Sequence, residues 1–325
     1  MRTVFFGVSS VAVPSLKALA EGPHRPLLVV TQPDRPSGRG RRISPSAVKL
    51  AALEHNLPVF QPENPHSDEA VQRLSELSPE LFVVMAYGHI FKRRLLELPS
   101  KECINLHLSL LPRYRGPAPV QWAILNDDNE TGVTVIRMVP GVDAGAILGQ
   151  CTVEMLSRET AGELCERLGR AAAELVGEVV ESVERGTVTA RAQDESQASS
   201  APAFRKADGE INWSHSAWYV CNHIRAMTPW PSAFTFLQTK GKEALRVALL
   251  EAHVVEFASG GKPPGEVVSV EGGQIVVGAG EEAVCIDRLS PAGGRAMSAP
   301  DFVRGRRVEA GDRFGSIQQS FRFSK

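Results

Sequence analysis

The sequence lacks the motifs that mark several large enzyme classes. It contains no G-x-x-x-x-G-K-[ST] phosphate loop, and no G-x-G-x-x-G follows the first apolar run, which argues against nucleotide and dinucleotide binding. The eight histidines show neither H-E-x-x-H nor a paired metal-ligand spacing, so we predict no metal site. G-x-S-x-G is missing as well, which leaves an α/β-hydrolase without its nucleophile.

Other absences bear on the compartment and on the partners. The five cysteines are an odd number without a C-x-x-C pair, which argues against a disulfide framework and for a reducing compartment. No apolar run reaches the roughly 18–20 residues that span a bilayer. The apolar N-terminal stretch is interrupted by Gly7, Ser9, Ser10 and Pro14, so it is not typical of a signal peptide. We therefore expect a cytoplasmic protein that makes no membrane contact.

Apolar runs alternate with helical patterns through the first half of the 325 residues. This alternation predicts a mostly parallel, Rossmann-like sheet that is covered by helices on both faces. In such sheets ligands bind at the carboxyl ends of the strands. The predicted strands are 3–8, 26–32, 58–61, 80–88, 102–108, 131–139 and 146–155, and the predicted helices are 13–22, 44–56, 67–77 and 159–184.

The second half of the sequence has a different composition and hydrophobic pattern. The small, polar segment DESQASSAP (194–202) is typical of a linker. Beyond it, strand-like runs bounded by Gly-Gly turns predict a smaller β-barrel of the OB type. We therefore predict an α/β domain at 1–187, a linker at 188–205 and a β-barrel domain at 206–325.

The segment CINLHLSLLPRYRGPAP (103–119) places polar side chains at the end of an apolar strand. Because strand residues alternate between faces, Asn105 and His107 are expected on the same face, which opens on the binding crevice. An amide is a neutral donor suited to an oxygen that gains negative charge, and an imidazole can hold that oxygen or move a proton. Asp143 lies in a glycine-flanked turn, and a carboxylate beside an imidazole would fix its tautomer.

Together these segments resemble the methionyl-tRNA formyltransferase family, within the wider group of enzymes that use 10-formyltetrahydrofolate. The matching segments include the N-x-H-x-S-L-L-P core, the later GVDAG and VVMAYG (83–88). The N-x-H…D pattern is shared by the wider group. The tRNA enzymes are indicated by the arginine-rich segment TQPDRPSGRGRR (31–42) and by the C-terminal segments KADGEINW (206–213) and IRAMTPWPSAFT (224–235). The resemblance spans nearly the whole chain.

The resemblance implies a direct formyl transfer and assigns roles to residues at the matching positions. It implies that Asn105, His107 and Asp143 are catalytic, that 10-formyltetrahydrofolate is the co-substrate and that methionyl-initiator-tRNA is the acceptor. We expect the protein to act as a monomer. The residues implied to contact the formyl-folate are Ser109, Leu110, Leu111 and Pro112, together with Met85, Ala86, Tyr87 and Gly88.

The resemblance also implies a tRNA-binding loop, and the charge of that loop supports it. Five cations and one anion lie between Asp34 and Lys49, a local charge of +4 in a chain whose net charge is −1. Such a segment can bind phosphates. The predicted tRNA contacts are Arg39, Arg41, Arg42 and Lys206, while Arg304, Arg306 and Arg307 are either a second contact or a plain solvent-exposed turn.

Two other functions compete with this interpretation. One is a formyltransferase with the same catalytic domain that acts on an amino sugar or another small amine. The other is a catalytically silent protein that binds RNA or folate. The arginine-rich loop and the second domain favour tRNA over a sugar, and an intact Asn105, His107 and Asp143 argue against a protein that only binds.

Overall fold

The computed structural model describes residues 1–37, 42–256 and 263–316, and the chain divides into two compact units. Unit 1 contains Met1–Pro119, Asn129–Met155 and Leu164–Pro202. Unit 2 contains Val120–Asp128, Leu156–Glu163 and Ala203–Lys325. Each unit therefore consists of three segments of the chain. The predicted domains are continuous instead, with the first ending at residue 187 and the second beginning at residue 206. Those limits stay a prediction.

The described part of residues 1–185 forms nine strands and six α-helices. The strands are β1 (Thr3–Gly7), β2 (Leu28–Val30), β3 (Arg35–Ser37), β4 (Arg42–Ser44), β5 (Val59–Phe60), β6 (Leu81–Met85), β7 (Glu102–His107), β8 (Glu130–Arg137) and β9 (Ile147–Glu154). The helices are α1 (Val13–Glu21), α2 (Ala47–Glu54), α3 (Asp68–Glu76), α4 (Arg93–Leu96), α5 (Pro119–Leu125) and α6 (Ala161–Arg185).

Seven of these strands form one sheet in the order β5-β2-β1-β6-β7-β8-β9. The pairs from β5 to β7 are parallel, and β8 and β9 continue the sheet antiparallel. Every residue of β1 and β6 is buried, as expected for continuous apolar strands covered on both faces. The predicted mostly parallel sheet is confirmed, and it places the ends of β6 and β7 side by side.

Helix α2 begins later than the sequence pattern predicts. The serine-proline pair at 44–45 indicates a start at residue 44, but residues 42–44 form β4, which pairs antiparallel with β3. A residue that precedes proline favours the extended conformation, which suits Ser44 to a strand. The helix is instead capped by Ser46, whose hydroxyl accepts a hydrogen bond from the Lys49 backbone N–H at 3.0 Å.

Among the described residues beyond 203, unit 2 holds an antiparallel sheet and two α-helices, in addition to most of α5. The strands are β10 (Phe234–Gln238), β11 (Leu245–Val255), β12 (Val267–Ser269), β13 (Ile275–Gly278), β14 (Ala283–Pro291), β15 (Met297–Ser298) and β16 (Arg313–Gly315), and the helices are α7 (Ala217–Ala226) and α8 (Ala299–Arg306). The strand order is β12-β13-β14-β11-β10-β16. An antiparallel bridge from Glu266 to Arg313 brings the last strand back to the first, so the sheet is a nearly closed barrel and the predicted barrel is confirmed.

Bilayer-spanning helices are not found among the described residues: none of the helices there is both long enough and apolar enough to cross a membrane. The longest one, α6, carries charged residues along its length.

Candidate active site

A cavity of about 570 Å³ opens in unit 1 where β6 and β7 end. Its lining includes Ala86, Tyr87 and Gly88 after β6, Asn105 and His107 on β7, and residues of the 139–145 turn between β8 and β9. Because β6 and β7 are neighbouring parallel strands, their carboxyl ends meet at one edge of the sheet. The volume lies within the range typical of small-molecule sites.

Asn105, His107 and Asp143 lie together at the base of this cavity. The Asn105 amide donates to Asp143 Oδ1 at 3.4 Å, and His107 Nδ1 lies 3.4 Å from Asp143 Oδ2. Side-chain alternation along β7 puts the amide and the imidazole on the same face, and the turn carries the carboxylate across to both. The structure thus brings the three predicted side chains into contact, while their catalytic role stays a prediction.

The Asp143 carboxylate has a third partner that fixes its position. The Gly116 backbone N–H donates to Asp143 Oδ2 at 2.9 Å. Gly116 has φ +121°, and a Cβ there would lie 2.8 Å from the Ala201 carbonyl oxygen, so only glycine fits. Asp143 itself has φ 50°, an unusual backbone conformation for a non-glycine residue that the surrounding contacts must hold.

His107 is enclosed, and both of its ring nitrogens face oxygen acceptors. The side chain is only 7% exposed. The Tyr114 carbonyl accepts a hydrogen bond from His107 Nε2 at 2.8 Å, while Nδ1 faces the Asp143 carboxylate. These two contacts hold the ring in one orientation beside the Asn105 amide.

The wall that follows β6 is apolar with two neutral polar groups. Tyr87 packs edge-on against Phe6 and Phe91, and burial raises its pKa to about 12, so the phenol stays neutral. Its hydroxyl is buried without a hydrogen-bond partner among the described residues. Burial also lowers the pKa of His89, which favours the neutral ring there. Ala86 and Gly88 line the cavity, whereas Met85 is buried and its sulfur accepts a hydrogen bond from the Ser15 hydroxyl.

The loop formed by Ser109, Leu110, Leu111 and Pro112 lies behind His107 and is not part of the cavity lining. The buried Thr134 hydroxyl on β8 fastens it, donating to the Ser109 carbonyl at 2.6 Å and accepting from the Leu111 N–H at 3.1 Å. Gln150 donates to the same hydroxyl at 2.9 Å and to the Leu111 carbonyl at 3.1 Å. The predicted contact of this loop with formyl-folate stays a prediction.

The loop also packs against a glycine of β8. A Cβ at Gly132 would lie 2.1 Å from the Cys151 carbonyl oxygen and 2.5 Å from Leu110 Cδ2. Leu110 can therefore close over the strand only because residue 132 has no side chain.

The predicted tRNA contacts are located only in part. Arg39 and Arg41 lie outside the described residues, and Arg42 begins β4. Lys206 is exposed in a short 3-10 turn, Lys206–Gly209, of unit 2. Within the charged stretch, Lys49 pairs with Asp34 at 2.6 Å and Arg35 pairs with Glu63 at 3.6 Å.

Sequence reasoning missed several residues that hold this site. The Gly116 N–H, the Tyr114 carbonyl and the Thr134 hydroxyl each contact the three candidate side chains or the adjoining loop, as described above. The Arg115 guanidinium, on the same loop, is paired with Glu195 at 2.7 Å. Contacts made by backbone groups cannot be read from residue types in the sequence. The partner of Arg115 lies 80 positions away along the chain, so no local pattern predicts the pair.

Comparisons with known proteins extend over both halves of the chain. Residues 1–180 match the profile described as formyl transferase, and residues 204–307 match formyl transferase, C-terminal domain. Among curated proteins, methionyl-tRNA formyltransferase from Citrifermentans bemidjiense is 39% identical over 320 residues, covering 98% of each chain. Its namesake from Methylococcus capsulatus is 41% identical over 316 residues, covering 97% of this chain and 100% of the relative.

Solved structures share the fold at lower identity. The N-formyltransferase from Helicobacter canadensis in complex with folinic acid and dTDP-3-aminofucose superposes with a TM-score of 0.65 at 18% identity. The match covers 88% of this chain and 98% of that chain. At this identity the likeness establishes the fold alone.

The Thr134 hydroxyl offers a test of how the loop is held. We expect Thr134→Val to lower the free energy of unfolding by about 2 kcal/mol, because it leaves the Ser109 carbonyl and the Leu111 N–H buried without their partner. Urea denaturation of the purified variant measures this. Thr131→Val on the same strand is the matched control, since the Thr131 hydroxyl is buried without a hydrogen-bond partner among the described residues. This substitution should leave the free energy of unfolding unchanged. Equal losses in the two variants would mean that the Thr134 bonds contribute no stability.

Proposed function

The chain belongs to the formyltransferase family, and we propose that it transfers the formyl group of 10-formyltetrahydrofolate to the free α-amino group of methionyl-initiator-tRNA. The observation that carries this proposal is the meeting of Asn105, His107 and Asp143 at one cavity, in a chain that matches methionyl-tRNA formyltransferases over nearly its full length. Bound 10-formyltetrahydrofolate would supply an activated one-carbon unit on N10.

The cavity suits such a co-substrate in shape and in chemistry. Its wall carries the apolar side chains of Ile90, Phe91 and Val142, which can cover the aromatic part of a folate. Its base carries a neutral amide donor and a histidine, the groups that a reacting formyl oxygen requires. Ala86, Tyr87 and Gly88 line the same cavity and are assigned to the pterin side of the pocket.

In the mechanism that follows, Asn105 donates a hydrogen bond to the formyl oxygen as the amine attacks the formyl carbon. The amide has two N–H groups and directs one to Asp143, so among the described residues the other is free for the substrate. His107 can hold the same oxygen, and Asp143 keeps the ring in place. The amine loses one proton and N10 gains one as the carbon–N10 bond breaks, and we assign this transfer to the His107–Asp143 pair. No covalent enzyme intermediate is required.

The tRNA would be bound by basic residues outside the cavity. Arg39, Arg41 and Arg42 are assigned to the acceptor end of the tRNA because they concentrate positive charge in a chain of net charge −1. The exposed Lys206 is assigned to the same partner, and Arg304, Arg306 and Arg307, on the last turn of α8 and just beyond it, are assigned to a second contact. We expect the protein to act as a monomer in the cytoplasm.

A formyltransferase that acts on an amino sugar is the second candidate. The shared fold with an N-formyltransferase that was solved with a nucleotide sugar favours it only at the level of architecture. Full-length curated relatives at 39–41% identity carry the tRNA name instead, so tRNA remains the proposed acceptor.

A formylation assay with charged tRNAs tests the proposed function. Purified protein with 10-formyltetrahydrofolate should formylate methionyl-initiator-tRNA and should leave methionyl-elongator-tRNA nearly unmodified. A nucleotide-linked amino sugar serves as the competing acceptor. Faster transfer to the sugar than to either tRNA would replace the proposed acceptor, and binding of folate without transfer to any acceptor would indicate a silent binding protein.

Two substitutions test the catalytic assignment. We expect Asn105→Ala and Asp143→Ala each to lower kcat by roughly 100-fold or more, the effect of removing one oxyanion donor or its support, with a much smaller change in KM. Steady-state formylation kinetics with both substrates varied will separate the two constants. Near-normal turnover in either variant would remove that residue from the catalytic set.

A further inference from the structure

Residues 191–201, here called the strap, lie along unit 1 beside the candidate site. At one end Arg191 pairs with Ile147 of β9 through two backbone hydrogen bonds of 2.8 and 2.9 Å. At the other end Ser200 forms a parallel bridge with Arg115, with backbone bonds from Arg115 N–H to the Ser199 carbonyl and from Ala201 N–H to the Arg115 carbonyl. The small, polar composition predicted a linker, but this segment is hydrogen-bonded along its length.

Gln193, near the start of the strap, is bonded to the turn that carries Asp143. Its amide group donates to the Asp143 carbonyl and to the Gly145 carbonyl, both at 2.7 Å. Its amide oxygen accepts from Arg115 Nη2 at 2.8 Å and from Arg115 Nε at 3.1 Å. All of the hydrogen-bonding capacity of this side chain is therefore directed at the two loops that meet at the cavity.

These bonds hold a residue of the site whose backbone conformation is unusual. Asp143 is a non-glycine residue at φ 50°, and such a conformation persists only where its surroundings hold it. Gly116 holds the Asp143 side chain, and Gln193 holds the Asp143 backbone carbonyl. The carboxylate must stay fixed relative to His107 and Asn105, so a loose turn would move it away from both.

The strap also holds the opposite side of His107. The Tyr114 N–H donates to the Ser199 hydroxyl at 2.9 Å, and the Tyr114 carbonyl accepts from His107 Nε2 at 2.8 Å. The two acceptors that flank the imidazole are therefore both tied to one segment, at Gln193 and at Ser199.

We propose that Gln193 is a positioning residue for formyl transfer, which fixes Asp143 and, through Arg115, the 113–116 loop in the geometry that orients His107. This inference rests on the proposed function. Gln193 contacts neither of the other two candidate catalytic side chains through any described hydrogen bond, so it acts through the backbone of Asp143 rather than on the substrate.

Substitution of Gln193 tests this inference through the separate effects on kcat and KM. Gln193→Met keeps the length of the side chain and removes all its hydrogen bonds, whereas Gln193→Glu keeps an oxygen for Arg115 and removes only the N–H donors. We expect each variant to lower kcat by about 10- to 100-fold, the effect of a small misplacement of a catalytic group, with both KM values within about twofold of wild type. Circular dichroism and urea denaturation will identify a variant that fails to fold.

Gln197→Met is the matched control in the same strap. Among the described residues, the Gln197 amide donates only to the side chain of Asp194, and its loss should leave kcat unchanged. A second comparison uses the Asp143→Ala background, where Gln193→Met should lower kcat by a smaller factor than in the wild-type background, because only the contact of Gln193 with Arg115 is then left to position a catalytic group. A purely structural role would produce the same loss in both backgrounds.

A spectroscopic measurement separates this inference from the proposed function. The nitrogen chemical shifts of the His107 ring should move in Gln193→Met and should stay in place in Gln197→Met, whether or not the protein formylates tRNA. Unchanged His107 shifts, an unchanged kcat in both Gln193 variants, or equal losses with and without Asp143 would overturn the positioning role. A wild-type protein that formylates no Met-tRNA would instead remove the proposed function, and the ring shifts would still decide the role of Gln193.

Discussion

The site depends on where the Asp143 carboxylate is held. That one group accepts from the Asn105 amide and from the Gly116 N–H and faces His107 Nδ1, so it links a strand, a loop and a turn. The Asp143 side chain is 16% exposed, and a carboxylate largely removed from water is stable only where charged or N–H partners surround it. Its three partners are also the groups that define the base of the cavity, so the position of the carboxylate and the shape of the site cannot vary independently.

Three parts of the surrounding fold hold the residues that make this contact. Parallel pairing of β6 and β7 brings their ends to one edge, and alternation along β7 aims the amide and the imidazole into the same space. Behind β7, Thr134 and Gln150 fasten the Ser109–Pro112 loop to β8 and β9. The strap then ties the Asp143 turn to the Arg115 loop, so chain that is distant in sequence sets the geometry at the reacting centre.

The sequence predicts the parts of this arrangement that follow from periodicity. The apolar runs predict the parallel sheet, and alternation predicts that Asn105 and His107 share a face. The place of Asp143 came from a resemblance, since a glycine-flanked aspartate is by itself a common turn. Gln193 carries no local signal, because its partners are backbone carbonyls of residues 48 and 50 positions away. The composition of the strap is small and polar, which is typical of a linker. The strap is fixed by backbone and side-chain hydrogen bonds rather than by apolar packing, so its composition does not reveal that it is fixed.

The most direct test of the central claim is a crystal structure of the protein with a non-transferable analogue of 10-formyltetrahydrofolate. The claim predicts that the formyl oxygen lies within hydrogen-bonding distance of Asn105 Nδ2, with His107 and Asp143 on the same side of the one-carbon unit and the pterin against Ala86–Gly88. An analogue bound elsewhere, or one whose formyl group points away from Asn105 in this cavity, would contradict it.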